Sequence, residues 1–486
     1  MNRALLATAV LSVLACGPAS VRAQAPPAPI AYESSGVAGF DQWRDQFSNR
    51  ALAAGRDRAV LARLLAGLAP DPRVIELDRR QPEFVSPVWD YVTNRLTETR
   101  IDNGLALKAE IGPLLEAVEA RYGVDADIVL GIWGLESNYG AAALNYDAAA
   151  ALATLAYEGR RRGQFETYLL SLLEMVEAGL AAPGQLRSSW AGALGQPQFM
   201  PDVYLSLAVD WGGDGRRDIW TDRGDIAASI AHYLADRGWR AGEPVFDEVV
   251  LPAGFDHALA DGSARSLADW AARGLERIDG QPWRLEQRDL PAQLFLPAGA
   301  QGPALLLHAN FAVIRRYNAS DRYALVVALL ARAFEGQAGL VRPWPRHVGS
   351  LNREQVLELQ TLLNGLGYDA GAADGLFGAG TRRAVRAFQS AQGQIADGFP
   401  TLALLDAART RAGVVPVPPP PRPLNRAEVR ELQRLLNRLG FRAGRADGRI
   451  GPNTRAAIRS FERERGMEVR GRATDLVLEA ARAAAG

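Results

Sequence analysis

The chain is poor in the residues that serve metal and thiol chemistry. Of its 486 residues only Cys16 is a cysteine, and only His232, His257, His308 and His347 are histidines. One cysteine excludes a disulfide framework and a Cys-rich zinc site, and its place in the N-terminal segment excludes a thiol nucleophile from the mature chain. Net charge is lacking too, with 55 Lys and Arg against 55 Asp and Glu. Without an overall basic field the chain has no means of holding a nucleic-acid backbone non-specifically, so nucleic acid is excluded as the expected partner. After the N-terminus no apolar run is long enough to span a bilayer. Chemistry is left to carboxylates, hydroxyls and amides.

What is present begins with Met1-Asn-Arg3, an apolar run from Ala4 to Ala15, and the small residues around Val21-Arg-Ala23. These are the three regions of a secretory leader, which assigns residues 1–25 to a signal peptide and the remainder to the periplasm. Cys16 after Val13-Leu-Ala15 loosely matches a lipid-attachment box for an outer-membrane anchor, while Ala23 offers a cleavage point for a soluble form. Soluble export is the expectation, as a monomer.

The C-terminal part repeats itself. The segment from Leu351 to Tyr368 recurs from Leu424 to Phe441, and the register holds onward through Ala373-Asp-Gly375 and Ala446-Asp-Gly448, Thr381 and Thr454, and Phe388 and Phe461. All pairs are 73 positions apart, which makes 350–411 and 424–485 two copies of one module. Pro-rich residues 412–423 between them form a semi-rigid extended spacer. In each copy Val356, Leu359, Leu363 and their counterparts lie at helical spacing, Gly367 or Gly440 stops the helix, and a second helix carries Ala384, Val385 and Phe388 on one face. A three-helix bundle this small suits binding better than catalysis.

Residues 37–340 remain as one large domain. Helical patterns cover 37–54, 57–66, 104–121, 125–138, 147–158, 164–179, 224–237 and 321–335, whereas strand-like runs are short and sparse, 245–251 and 304–307 being the best of them. The fold class is mainly α.

Within this domain the segment Ile128-Val-Leu-Gly-Ile-Trp-Gly-Leu-Glu136 sets a carboxylate on an apolar helix capped by Asp125 and stopped at Tyr139-Gly140. Glu136 shares its face with Val129, Ile132 and Trp133, and no Lys or Arg lies three or four positions away. Desolvation disfavours a charged carboxyl, the condition a general acid needs near neutral pH. A buried ion pair with an Arg from elsewhere fits this position equally well. A second segment, Ser189-Trp-Ala-Gly-Ala-Leu-Gly-Gln-Pro-Gln-Phe-Met-Pro201, gathers small residues, a hydroxyl and two amides in a turn suited to a cleft wall.

Together with Gly131-Ile-Trp-Gly-Leu-Glu-Ser-Asn-Tyr-Gly140, that segment resembles the membrane-bound lytic murein transglycosylase B family over nearly all of 37–340. Arg160-Arg161 after Tyr157-Glu158, Ile230-Ala-His-Tyr-Leu234 and Asn310 to Asn318 followed by Tyr323 extend the resemblance. It implies a lysozyme-like catalytic domain followed by two peptidoglycan-binding type 1 modules. It further implies that Glu136 is the catalytic acid and then base, that Ser189, Gln198, Tyr233, Asn318, Tyr323 and Tyr91 line a saccharide cleft, and that Arg160 and Arg161 meet stem-peptide carboxylates. The implied reaction cleaves the bond between N-acetylmuramic acid and N-acetylglucosamine in peptidoglycan glycan strands without water, leaving 1,6-anhydromuramoyl ends, and requires no cofactor. A hydrolytic muramidase and an inactive wall-binding scaffold are the competing readings.

The run Asp210-Trp-Gly-Gly-Asp214-Gly-Arg-Arg-Asp-Ile-Trp220 partly fits a calcium loop, with Asp210, Asp214 and Gly215 at positions one, five and six and Asp225 needed to close it. Gly212 has no ligand atom at position three, so a structural Ca2+ at Asp210, Asp214 and Asp225 stands beside a plain Asp/Gly turn whose Asp225 caps the next helix.

Overall fold

A computed structural model describes residues 28–79, 87–337, 339–414 and 421–485. The expected leader with Cys16, and the centre of the Pro-rich spacer, lie outside the described residues. Nineteen α-helices among those residues bear out a mainly α fold. The chain divides into two compact units, one up to Ala408 and one from Arg409.

The first unit is built around the helix Ala126–Ser137, packed between Glu98–Tyr122, Arg223–Asp236 and Asp321–Phe334. Asp125 caps it by accepting from Asp127 N at 2.8 Å, and Asn138 ends it in the left-handed region at φ 49°. Gly131 is needed here. A Cβ at this position would lie 2.9 Å from the Val327 carbonyl, so only glycine lets the two central helices approach this closely. The Glu98–Tyr122 helix begins six residues before the spacing suggests, because Thr97 caps it, and it breaks its helical dihedrals at Ile111, two residues before Pro113. Short helices at Pro72–Arg79, Val88–Arg95 and Ala309–Tyr317 escaped the periodicity argument, being only eight or nine residues long.

Strands β1 (Tyr146–Asp147) and β2 (Arg187–Ser188) pair antiparallel, with Tyr146 opposite Ser188. A larger antiparallel sheet is formed by β3 (Phe246–Val250), β4 (Ala264–Ser266), β5 (Glu276–Arg277), β6 (Pro291–Phe295) and β7 (Ala304–Leu307), in the order β4-β6-β7-β3-β5. It has its own core of Val249, Leu267, Trp270, Leu275, Leu294 and Leu306. On β3, Asp247 accepts from Trp283 Nε1 at 2.9 Å and is hydrogen-bonded to His308 Nε2 at 3.0 Å, while buried Glu248 accepts from the amides of Val341 and Arg342 at 2.8 Å each.

The first repeat belongs to this unit. Its helices are Arg353–Gly365, Ala379–Ala391 and Leu402–Arg411. Asn352 and Gln355 form a capping box at its start. Buried Gln360 then organises the turn, accepting from Gly375 N at 2.8 Å and donating to the Leu376 carbonyl and Thr381 Oγ1 at 3.0 Å each. This repeat is docked on the large domain. Phe399 is buried against Trp89 with ring centroids 6.3 Å apart, Asp397 accepts from Ala300 N at 2.9 Å, and Arg386 donates to the Ala260 carbonyl at 2.7 Å.

The second unit carries the second repeat as helices Arg426–Arg438, Pro452–Glu464 and Asp475–Ala484. Gln433 occupies the place of Gln360, accepting from Gly448 N at 2.9 Å and donating to the Arg449 carbonyl at 2.9 Å and to Thr454 Oγ1 at 3.1 Å.

Candidate active site

The central helix is buried until its last turn, where Leu135 and Glu136 emerge half-exposed. The desolvation expected from the apolar stripe is therefore partial. Tyr323, buried in the first turn of Asp321–Phe334, donates its hydroxyl to Glu136 Oε1 at 2.6 Å. Burial first, and then the Glu136 charge, holds the Tyr323 phenol well above its ordinary pKa of 10, so it remains a neutral donor. Tyr317 is raised in the same way, by burial and by Glu136. Its hydroxyl donates to the Pro197 carbonyl at 2.6 Å, and its ring packs against Tyr233 with centroids 4.7 Å apart and against Phe199 at 6.0 Å. Tyr233 in turn donates to the Arg316 carbonyl at 2.5 Å.

The Ser189–Pro201 turn adjoins these phenols through the Tyr317 bond to Pro197. Leu194 and Phe199 exchange backbone hydrogen bonds at 2.7 and 3.1 Å, which forces Gln198 into the left-handed region at φ 56°. A non-glycine residue held there signals a backbone over-determined by its surroundings. Gln198 Nε2 donates to the Gly195 carbonyl at 2.8 Å, and Ser189 Oγ accepts from Ala193 N at 3.3 Å. Both side chains are half-exposed. Asn318 ends the Ala309–Tyr317 helix in extended backbone and accepts from Ser320 N at 3.2 Å. Tyr91 is buried on Val88–Arg95, with the Arg95 guanidinium 5.4 Å above its ring.

Two residues that sequence reasoning passed over tie the site together. Gln196 accepts from Trp133 Nε1 at 2.6 Å, donates to the Trp220 carbonyl at 2.7 Å, and its amide N donates to Ile219 O at 2.8 Å. One amide thus joins the Glu136 helix to both the Ser189–Pro201 turn and the Asp-rich loop. Tyr317 is the other, and it stood inside the Asn310–Asn318 segment beside Asn318. Gly134 and Gly140 complete the arrangement, since a Cβ on the first would strike Tyr139 Oη at 2.5 Å and one on the second Gln196 Oε1 at 2.6 Å.

Arg160 and Arg161 stand apart from this group, at the turn before Arg162–Glu177. Both pair with buried Asp78, Arg161 at 2.6 Å, and Arg160 also pairs with Glu158 at 3.1 Å. They are about half-exposed, and their first partners are these carboxylates of the chain itself.

In the Asp-rich loop, Asp210 accepts from the amides of Gly213, Asp214 and Gly215 at 2.6, 3.1 and 2.8 Å. Buried Asp225 accepts from Trp211 N at 2.7 Å and Asp218 N at 2.6 Å. Asp225 is not the helix cap. Asp222 holds that place and accepts from Asp225 N at 2.9 Å, because the helix begins at Arg223. Among the described residues no three acidic or histidine side chains converge on one point, so the loop closes through its own backbone. A cavity of about 1010 Å³ between Trp239, Asp247 and Arg332 does not include Glu136.

The Transglycosylase SLT domain matches residues 39–332, and the peptidoglycan binding domain matches 352–407 and 425–480. Membrane-bound lytic murein transglycosylase B of Escherichia coli (strain K12) is 33% identical over 303 residues, spanning 61% of this chain and 78% of that protein. SltB3 from Pseudomonas aeruginosa, solved in complex with NAG-anhNAM-pentapeptide, is 46% identical with a TM-score of 0.74, covering 77% of this chain and 100% of that one. The Escherichia coli lytic transglycosylase SLT35, solved in complex with calcium, is 28% identical with a TM-score of 0.53, covering 63% of this chain and 96% of that one. With its family domain spanning more than half its length, the chain belongs to the Transglycosylase SLT domain family of lytic transglycosylases.

Proposed function

We propose that the chain cleaves the muramoyl bond of peptidoglycan glycan strands, with Glu136 as acid and then base. The observation that carries this reading is the 2.6 Å bond from a neutral, buried Tyr323 to Glu136 Oε1, which holds a half-exposed carboxyl in place at the end of an otherwise buried helix. Hydrolytic glycosidases employ a pair of carboxylates. A site of one carboxyl ringed by phenols and amides suits a reaction in which the sugar supplies the remaining groups. Protonated Glu136 donates to the glycosidic oxygen as the bond to muramoyl C1 breaks, and the acetamido group stabilises the developing cation. The C6 hydroxyl then attacks C1 while its proton passes to Glu136, which closes the 1,6-anhydro ring and consumes no water. Ser189, Gln198 and Asn318, all neutral donors or acceptors, orient the acetamido and hydroxyl groups, and Tyr91 and Tyr233 supply aromatic cleft surface. Arg160 and Arg161 can engage stem-peptide carboxylates only by sharing their guanidinium donors with Asp78.

Mass spectrometry of products released from purified sacculi tests the reaction: 1,6-anhydro ends are expected, and reducing muramic acid ends would establish hydrolysis instead. Glu136→Gln should abolish release while sacculus binding persists, whereas normal release would assign the acid role to another residue. The peptidoglycan substrate and the leader-like N-terminal sequence support export to the periplasm, as a monomer and with or without a lipid on Cys16. No helix among the described residues is long and apolar enough to cross a membrane. A structural calcium ion at Asp210, Asp214 and Asp225 is a further part of this reading, supported by the loop spacing alone, since the Asp210 and Asp225 carboxylates are engaged by backbone amides and would have to turn from them to meet one ion. It serves no chemical step. Added calcium should raise the melting temperature of the metal-free protein and fail to do so in Asp214→Ala; no response in either would remove the site.

A further inference from the structure

The two repeats share a scaffold but not a surface. In the first, Gln389 accepts from Gly398 N at 2.8 Å and holds the loop that carries Asp397 and Phe399. In the second, Glu462 stands at the place of Gln389 and accepts from Gly471 N at 2.7 Å, holding the same loop. Around that loop the first repeat sets Arg382, Arg386, Asp397 and Phe399, the residues that dock it on the large domain. Arg382 lies over the Phe295 ring at 5.7 Å, Arg386 bonds Ala260, Asp397 bonds Ala300, and Phe399 packs on Trp89.

At the four corresponding positions the second repeat has Arg455, Arg459, Arg470 and Arg472, and all four are exposed. Arg459 lies along Gly471, where a Cβ would meet its Cγ at 2.8 Å and its Nη1 at 3.1 Å, which sets its side chain against the turn flanked in sequence by Arg470 and Arg472. Only Arg470 has an ion-pair partner among the described residues, Glu468 at 2.5 Å. The change extends to the whole module. Residues 424–485 hold fourteen arginines against eight acidic residues, whereas 350–411 hold six of each. The anchor pair Asp397 and Phe399 has become two cations, so this face cannot repeat the docking of the first copy.

We propose that this arginine face of the second repeat binds the carboxylate-bearing stem peptides of peptidoglycan, while the first repeat serves as a fixed part of the catalytic unit. The inference rests on peptidoglycan being the substrate. Guanidinium forks match carboxylates in geometry as well as charge. Carboxylates recur along every glycan strand, and a surface that holds the polymer cut by the active site raises the local concentration of cleavable bonds.

The test sediments the full chain with purified sacculi. Binding should weaken roughly tenfold or more when salt rises from about 0.05 M to about 0.5 M. Arg455→Gln, Arg459→Gln, Arg470→Gln and Arg472→Gln combined should weaken it comparably at low salt and flatten the salt dependence. Release of product from short soluble glycan fragments should be unchanged, which separates failure of this inference from failure of the catalytic reading. A second arm uses the unaltered protein and sacculi whose carboxylates are converted to neutral amides, so a variant that fails to fold leaves the question decidable. Equal binding to blocked and unblocked sacculi overturns the proposal, as does sedimentation with anionic phospholipid vesicles in preference to sacculi.

Discussion

At the scale of single residues, the site depends on a hydrogen bond that does not titrate in the working range. Burial and the Glu136 charge keep the Tyr323 phenol protonated well beyond pH 10, so its donation to Glu136 persists at any pH at which the protein functions. Tyr323→Phe should lower kcat about tenfold, equivalent to about 1.4 kcal/mol, with KM little changed. Steady-state kinetics on soluble fragments checks this, and a variant defective only in KM would make Tyr323 a substrate contact instead. Glu136 stood out in the sequence because a lone carboxylate on an apolar helix contradicts the pattern around it, but that pattern fitted a buried ion pair equally well and only the Ser189–Pro201 segment beside it pointed to a site. Gln196 and Tyr317 did not stand out. An amide in a turn and a tyrosine at a helix end are ordinary by local rules, and only the three-dimensional meeting with Trp133, Trp220 and Pro197 gives them a role. Asp225 misled for a related reason: Asp222 and Asp225 both satisfy the rule for a helix cap, and the choice is made by the amides of Trp211 and Asp218, which capture Asp225 from outside the helix.

At the scale of elements, long helices were readable because a 3.6-residue period repeated over several turns, and the repeat modules because each signal occurred twice. The sheet was not. β3 and β7 are apolar enough to stand out, but β4 and β5 are only three and two residues long, and β6 opens on a proline. What holds the sheet is partly electrostatic. Burial raises the Asp247 carboxyl, but hydrogen bonds to His308 and Trp283 outweigh it and bring the pKa below its ordinary 3.8. A lowered carboxylate pKa contributes stability that is complete above the unfolded value and is lost as pH falls through the folded one. Asp247→Asn should therefore cost about 1–3 kcal/mol at pH 7 and less at an acid pH below the lowered folded pKa of Asp247, where both proteins carry a neutral side chain. Thermal unfolding at the two pH values checks it, and an equal loss at both would show that shape rather than charge is at stake.

At the scale of the whole molecule, the repeat made the modules evident, but nothing in it marked the first copy as one that packs on the large domain. That packing rests on surface residues with no periodic signature. Phe399→Ala should destabilise the catalytic unit by about 2–4 kcal/mol, because it empties a buried contact with Trp89. Truncation after Pro345 should lower the melting temperature of the catalytic domain, and truncation after residue 411 should not. Equal stability of the two truncated proteins would reduce the docking to a chance contact.

Gln360 and Gln433 carry a wider consequence. Each wires the turn of its own module through backbone amides, a backbone carbonyl and a neighbouring threonine, so the instructions for folding the bundle are written entirely inside it. The outer face is then free to drift without endangering the fold. A duplicated copy can be rewritten at a handful of exterior positions and acquire a new allegiance, as a cassette whose plug is independent of its casing.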